Sequence, residues 1–302
     1  MIGGCSIGIM AHNEERNIGS LLAALVNSAI SSEIVVVASG CTDRTESIVR
    51  SWQTRDKRIH LIVQETREGK ASAVNAFLRH TKERVVVLCS ADLIPDHGTI
   101  ERLLEPFGDP EVGMTSARPV PVNDPATFMG FAAHLLWELH HQLNLSGQFK
   151  AGELIAFRKI FERIPYRTAV DEASIEPVIR GQGYRAVYVS DAIVRNKGPE
   201  TLQDFLRQRR RIYAGHLEIR NTLGYQVNTL SGLKILGLLL KQLDWRARPF
   251  LWTWAVVGLE VYGRLLGRRD CKRCRDHSVW QIADTTKNPE VELSSIGERG
   301  PS

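Results

Sequence analysis

The sequence predicts an α/β fold, a mostly parallel central sheet flanked by helices, from three observations. Runs rich in β-branched residues, "SIGIMA", "EIVVVA", "IHLIVQE" and "RVVVLCSAD", recur from residue 5 to about 120. Stretches of helical periodicity separate them, which is the pattern of a sheet covered on both faces. Small polar turns, some with glycine, follow the strand ends, where ligands bind in such sheets.

The elements follow in order. After "SIGIMA" a helix is expected from about Glu15 to Asn27. "EIVVVA" leads to "SGCTDRT" and a helix from about Arg44 to Ser51, and "IHLIVQE" to a helix from about Ala71 to His80. "RVVVLCSAD" closes this half. Residues 121–220 hold a helix around "FMGFAAHLLWELHHQL", the turn "KAGELIAF", an acidic stretch "AVDEASIEPVIRGQGYR" and the basic run "FLRQRRRIYAGH". The expected division is a catalytic region over 1–220 (halves 1–120 and 121–220), two apolar helical segments within 221–268, and a polar tail over 269–302.

A chain of 302 residues, 43% hydrophobic and 24% charged, is globular and can bury a full core. Its net charge of +5 favours an anionic partner. "MIGGCSIGIMAHNEE" lacks the basic and apolar regions of a secretory signal, so a cytoplasmic protein is expected. Of five cysteines, Cys271 and Cys274 form a lone CxxC, and a structural zinc needs about four ligands, so ordinary thiols are expected.

Six of these pieces, in this order, resemble glycosyltransferase family 2, the nucleotide-sugar transferases of GT-A type, over about residues 5–216. "AHNEERNIGSLL" is similar to the family's opening strand-to-helix segment, "VVVASGCTDRT" to its second strand end and "REGKASAVNAFL" to its third helix. "SADLIPD" resembles the metal motif, "VDEASIEPVIRGQGYR" the catalytic helix and "QRRRI" the QxxRW element. The resemblance implies an inverting transferase of the GT-A fold that takes a UDP- or GDP-sugar with Mg²⁺ or Mn²⁺, the alternative being a non-catalytic member of the same fold that binds sugar nucleotide or membrane.

Carried onto this chain, the resemblance puts Ala11, Asn13 and Glu14 in one wall of the donor site and Ser39 and Gly40 in the next. Backbone N–H groups at helix starts suit anions there. A first-turn Glu14 also stabilises a helix dipole, and Asp43 reads as an N-cap. Ala38 and Ser39 stand where the family usually places an acid that reads uracil. Arg67, Gly69 and Lys70 open a helix suited to diphosphate oxygens, or form a solvated basic loop.

Ser90, Ala91 and Asp92 occupy the family's DxD, with Asp92 the metal ligand and one carboxylate lost at Ser90. A carboxylate at the start of the "ASIEPVI" helix suits a general base, with Glu172 preferred over Asp171, their order reversed from the family's. Gln208, Arg210 and Arg211 are expected at the diphosphate, and Ile212 replaces the family's Trp. Gly152, Glu153 and His140 are expected on the acceptor side, although turn geometry and packing also account for the glycine and the histidine.

The apolar segments 230–243 and 250–266 read as amphipathic membrane-interface helices. Leu233, Leu236, Leu240 and Leu243 share one helical face, with Ser231, Lys234 and Lys241 on another. In the second segment Thr253, Glu260 and Arg264 form the polar stripe, and Arg268, Arg269, Lys272 and Arg273 follow to meet anionic headgroups. Packing of both segments on the catalytic region is the alternative, as is a single span by the second. The expected partners are a nucleotide-diphosphate sugar, a lipid-linked or glycan acceptor and an anionic membrane surface, with the protein peripheral on its cytoplasmic side. No nucleic-acid partner is expected.

Overall fold

The computed structural model describes residues 4–28, 32–165, 170–225, 232–273 and 275. Ser231, the side chain of Leu233, Cys274 and the stretch beyond 275 lie outside the described residues.

The first half alternates as its hydrophobic periods dictate: β1 (Ser6–Ala11), α1 (Ile18–Val26), β2 (Glu33–Ser39), α2 (Thr45–Arg55), β3 (Ile59–Gln64), α3 (Lys70–His80) and β4 (Val85–Ser90). The short β5 (Ile94–Pro95) and α4 (Thr99–Leu104) follow. The second half holds β6 (Val112–Pro121), α5 (Phe128–Leu145), β7 (Leu154–Arg158), α6 (Asp171–Gly181), β8 (Arg185–Asn196) and α7 (Leu202–Leu223), then α8 (Gly232–Lys241) and α9 (Ala247–Lys272). The first helix starts at Ile18 rather than Glu15 because Glu14–Asn17 form a turn closed by Asn17 N–H to Glu14 O, 3.0 Å.

Among the described residues eight strands form one sheet in the order β3-β2-β1-β4-β7-β6-β8-β5. The β3-β2-β1-β4 half is parallel. β7 runs antiparallel to β4 and β6, β8 pairs parallel to β6, and β5 antiparallel to β8, so six strands share one direction. Alternation along the strands divides the core. Ile7, Ile9, Ile34, Val36 and Val87 pack with Leu21, Leu22 and Leu25 of α1. Val35, Val37, Val86 and Leu88 pack on the other face with Val74, Phe77 and Leu78 of α3. Gly8 lets α3 close on the sheet, since a Cβ there would stand 2.6 Å from the Phe77 ring.

The C-terminal helices correct the sequence reading. The boundary expected at 220 falls inside α7, and α9 packs along α7 while α8 rests on α5. Gly263 and Gly267 permit the close approach, for a Cβ on either would meet Arg209 Cβ at 2.8 Å or Arg210 O at 2.6 Å. The stripe Thr253, Glu260 and Arg264, expected to face water, is turned inward: Thr253 is buried, and Glu260 accepts from Arg264 Nε at 2.9 Å and lies 3.8 Å from Arg209 Nη1 of α7. Counter-charges on α7 reverse the helix. Leu251, Trp254, Val261, Tyr262 and Leu265 are therefore exposed, as are Leu236 and Leu240 of α8. No described helix is long and apolar enough to cross a membrane.

Candidate active site

The carboxyl ends of β1, β2 and β4 open into a cleft of about 820 Å³, roofed by α5, α6 and α7. Its first wall is stapled from below. Asp43 Oδ1 accepts from the Thr45 N–H at 2.9 Å and its Oδ2 from the Glu15 N–H at 3.0 Å, so this acid ties two strand-end turns together. Asn13 sits at φ 54°, tolerated by Asn, and its Oδ1 accepts the Thr42 N–H at 2.8 Å. Gly40 has φ 58°, and a Cβ on it would lie 2.5 Å from Arg67 N. Asn13 and Gly40 thus shape the turns, while Ala11, Glu14, Ser39, Arg67, Gly69 and Lys70 line the cleft itself.

At the cleft's middle, α3 and α6 meet end to end. Lys70 Nζ donates to Glu172 Oε1 at 2.7 Å and stands 3.0 Å from Asp171 Oδ2. Burial alone would lower Lys70, but the two carboxylates reverse this and hold it above the usual lysine range. Burial and the adjacent Asp171 push Glu172 above the usual carboxylate range, against the pull of Lys70. Burial lowers Arg211, opposed by Glu172 and Asp171. Two acids and two cations therefore share one low-dielectric pocket.

Ser90 at the end of β4 and Ala91 and Asp92 in the turn after it line the cleft, as do Gly152, Glu153 and His140. Burial, then Asp92, pushes Glu153 up to about 7. Gln208 and Arg211 of α7 also face in. Arg210, expected at the diphosphate, reaches the cleft wall, but its guanidinium is held in a two-pronged pair by Asp270 of α9, which is 1% exposed.

Comparison with known proteins decides the family. The model of "Glycosyl transferase family 2" matches residues 6–176, more than half of the chain. The chain belongs to glycosyl transferase family 2. A second model, "Glycosyl transferase family group 2", matches residues 169–266 and so takes in α7, α8 and most of α9. A dolichyl-phosphate beta-glucosyltransferase of Trichomonas vaginalis is 30% identical over 105 residues, 31% of this chain and 32% of that protein. The chain thus matches about a third of that relative's length. Among solved structures, a mannosyltransferase of Pyrobaculum calidifontis is similar with TM-score 0.64 and 20% identity, over 90% of this chain and 88% of that one. Glucosyl-3-phosphoglycerate synthase of Mycobacterium tuberculosis has TM-score 0.50 and 19% identity over 71% of this chain and 78% of that one. These likenesses show the GT-A fold.

Several residues of this family 2 cleft escape sequence reasoning. Lys150, in the turn before β7, lines the wall, and burial with Arg209 brings it down to about 8. Asn196, 4% exposed at the end of β8, gives Nδ2 to Glu153 Oε2 at 2.7 Å, while its Oδ1 has no partner among the described residues. A lone Lys in a turn and an Asn at a strand end carry no periodic signal. The oxygen donors of Asp92 and Asn196 beside a cleft suit a hard divalent cation, which needs one or two protein carboxylates when diphosphate and waters complete its shell. The residues present fit Mg²⁺ or Mn²⁺.

His140 and His216 are 4% and 6% exposed, and burial and Lys150 bring both down to about 3 from 6.5. The unfolded chain therefore takes up these protons first as pH falls through about 6.5, and stability present above that pH is lost below it. Urea melts should show a loss of about 1 kcal/mol per histidine between about pH 7 and about pH 5.5. His216→Asn should flatten that dependence; an unchanged slope would remove the buried neutral imidazole from the account.

Proposed function

We propose that this chain is an inverting glycosyltransferase that moves a sugar from UDP or GDP to a hydroxyl or phosphate at the head of a lipid-linked acceptor. It would work as a peripheral protein on the cytoplasmic side of an anionic membrane. One observation carries the lipid reading. Across a shared wall of Leu136, His140, Lys150, Arg209, Ile212 and His216, the cleft adjoins an apolar groove of about 210 Å³ between α5, α7, α8 and α9. Leu135, Leu139, Leu143, Ile235 and Leu239 line that groove. A polar head at Lys150 with an apolar chain behind it matches this change of lining.

The surroundings support the reading. The exposed apolar face of α9 runs toward exposed Arg268, Arg269, Lys272 and Arg273, a pairing suited to anionic headgroups. The Trichomonas relative is named for dolichyl phosphate. The mannosyltransferase was solved with GDP-Man and Mn²⁺, and the phosphoglycerate synthase with UDP-glucose and Mn²⁺.

In this reading Ala11, Glu14, Ser39, Arg67, Gly69 and Lys70 hold the nucleotide, and Gln208 and Arg211 face the diphosphate. Asp92 would hold Mg²⁺ or Mn²⁺, which when bound would supply positive charge that favours departure of the nucleoside diphosphate. Where the acceptor is a hydroxyl, Glu172 takes its proton, oriented by Lys70 through Oε1. Residues 1–120 then form the donor half, the stretch from 121 to the end of α7 the acceptor half, and α8 with α9 the lipid-facing part.

The test is release of nucleoside diphosphate from UDP- and GDP-sugars with Mn²⁺, comparing vesicles with a polyprenyl phosphate, the same vesicles without it, and a soluble phosphorylated acid. Release stimulated at least about tenfold by the polyprenyl phosphate is expected. Equal release with the soluble acceptor would overturn the lipid reading, and no release under any condition would overturn the enzyme.

A further inference from the structure

The family's metal motif carries two carboxylates, and this chain has Ser90 in place of the first. We infer that Glu153 supplies the missing carboxylate, so that the divalent cation is held by Asp92 and Glu153, with Asn196 Oδ1 completing the protein's share. This rests on the nucleotide-sugar reading above and reassigns Glu153 from the acceptor to the metal.

Strand register makes the juxtaposition. β4 and β7 pair antiparallel with Cys89 opposite Leu154, so the next register step puts Glu153 across from Ser90. Residues opposite each other in an antiparallel ladder project to the same face. Glu153 stands one residue before β7, and its side chain and that of Ser90 both line the cleft. A carboxylate on a longer stem from the neighbouring strand stands in for one lost from β4.

A second ladder closes the other side. β5 and β8 pair with Ile94 opposite Arg195, so the next step puts Asn196 across from Leu93, adjoining Asp92. The turn between Ser90 and Leu93, closed by Leu93 N–H to Ser90 O at 3.3 Å, is thus embraced from both sides. Asn196 Nδ2 donates to Glu153 Oε2 at 2.7 Å, which fixes the carboxylate and turns the amide. That leaves Asn196 Oδ1, on a residue 4% exposed and lining the cleft, as a buried acceptor with no partner among the described residues. A buried carbonyl oxygen without a donor is costly unless something positive meets it. Two carboxylates and one amide oxygen, with waters and diphosphate, are the hard donors that Mg²⁺ and Mn²⁺ take. A hydroxyl of a sugar or acceptor would instead leave Ser90 uncompensated.

The experiment titrates Mn²⁺ into the full chain with UDP or GDP present, read by the loss of free Mn²⁺ electron paramagnetic resonance signal, with no turnover involved. Removing a supporting partner typically costs 10- to 100-fold in affinity, so Glu153→Gln should weaken Mn²⁺ binding by about tenfold or more, as Asp92→Asn should. Gln keeps the side-chain volume and an oxygen for Asn196, and a thermal melt checks the fold. The decisive variant is Ser90→Asp in the Glu153→Gln background, which returns the carboxylate to β4 and should restore affinity to within about threefold of wild type. Glu153→Gln with wild-type Mn²⁺ affinity, or a folded double variant that regains nothing, would overturn the assignment while Asp92→Asn still reports the metal. Wild-type protein that takes up no Mn²⁺ with either nucleotide would overturn the nucleotide-sugar reading itself.

Discussion

Glu172→Gln should lower turnover by about 10² or more while donor affinity stays within a few fold. The substitution keeps the volume of the side chain and an oxygen for Lys70, which still has Asp171 at 3.0 Å, so no buried cation is stranded. What disappears is a carboxylate able to take a proton from the acceptor. Burial and Asp171 raise Glu172, so the acid limb of wild-type kcat/KM should lie above the usual carboxylate range. Activity falls as pH drops through that limb, because the base must be deprotonated, and the limb should vanish in the variant. Stopped-flow release of nucleoside diphosphate over a pH series measures both. Normal turnover would remove Glu172 from the role, and the same measurement on Asp171→Asn would then examine its neighbour.

The second large effect concerns stability. Arg210→Met should cost about 3 kcal/mol, since breaking a buried ion pair by removing one partner strands the other charge. Asp270 is 1% exposed and would lose its two-pronged guanidinium partner, with Arg275 Nε standing farther off at 3.8 Å. The figure sits at the low end for buried pairs because the Arg210 side chain is 31% exposed. Arg210→Met with Asp270→Leu should recover most of the loss, as apolar replacements of buried pairs often do. Urea melts of the two variants, with nucleotide affinity measured beside them, separate a helix tether from a diphosphate ligand. A large loss of affinity with unchanged stability would return Arg210 to the donor.

The strands were legible because β1, β2 and β4 are buried on both faces, so their β-branched runs are nearly unbroken, and the turns after them carry the polar motifs. Ser90 and Asp92, expected after β4, and Glu172, expected at the start of a helix, all line the cleft. The direction of β7 was not legible: "LIAFR" reads the same whichever way it runs, and only pairing with β4 and β6 sets it. That direction brings Glu153 to the cleft within reach of the Asp92 charge, which no spacing along the chain reveals. The facing of α9 was misread for a related reason. Thr253, Glu260 and Arg264 look solvent-facing until Arg209, far back in the chain, provides the charge that draws them inward.

The inward polar face of α9 also sets an order of assembly. Domains form from the N-terminus as synthesis proceeds at about 5–20 residues per second. Arg210 precedes Asp270 by 60 residues, so the basic helix waits about 3–12 s for its counter-ion. During that interval the arginine row lies open to water and to any passing polyanion. The helix that settles the row is also the one that carries an exposed apolar face, so the nascent chain gains its finished cleft and that face in the same event.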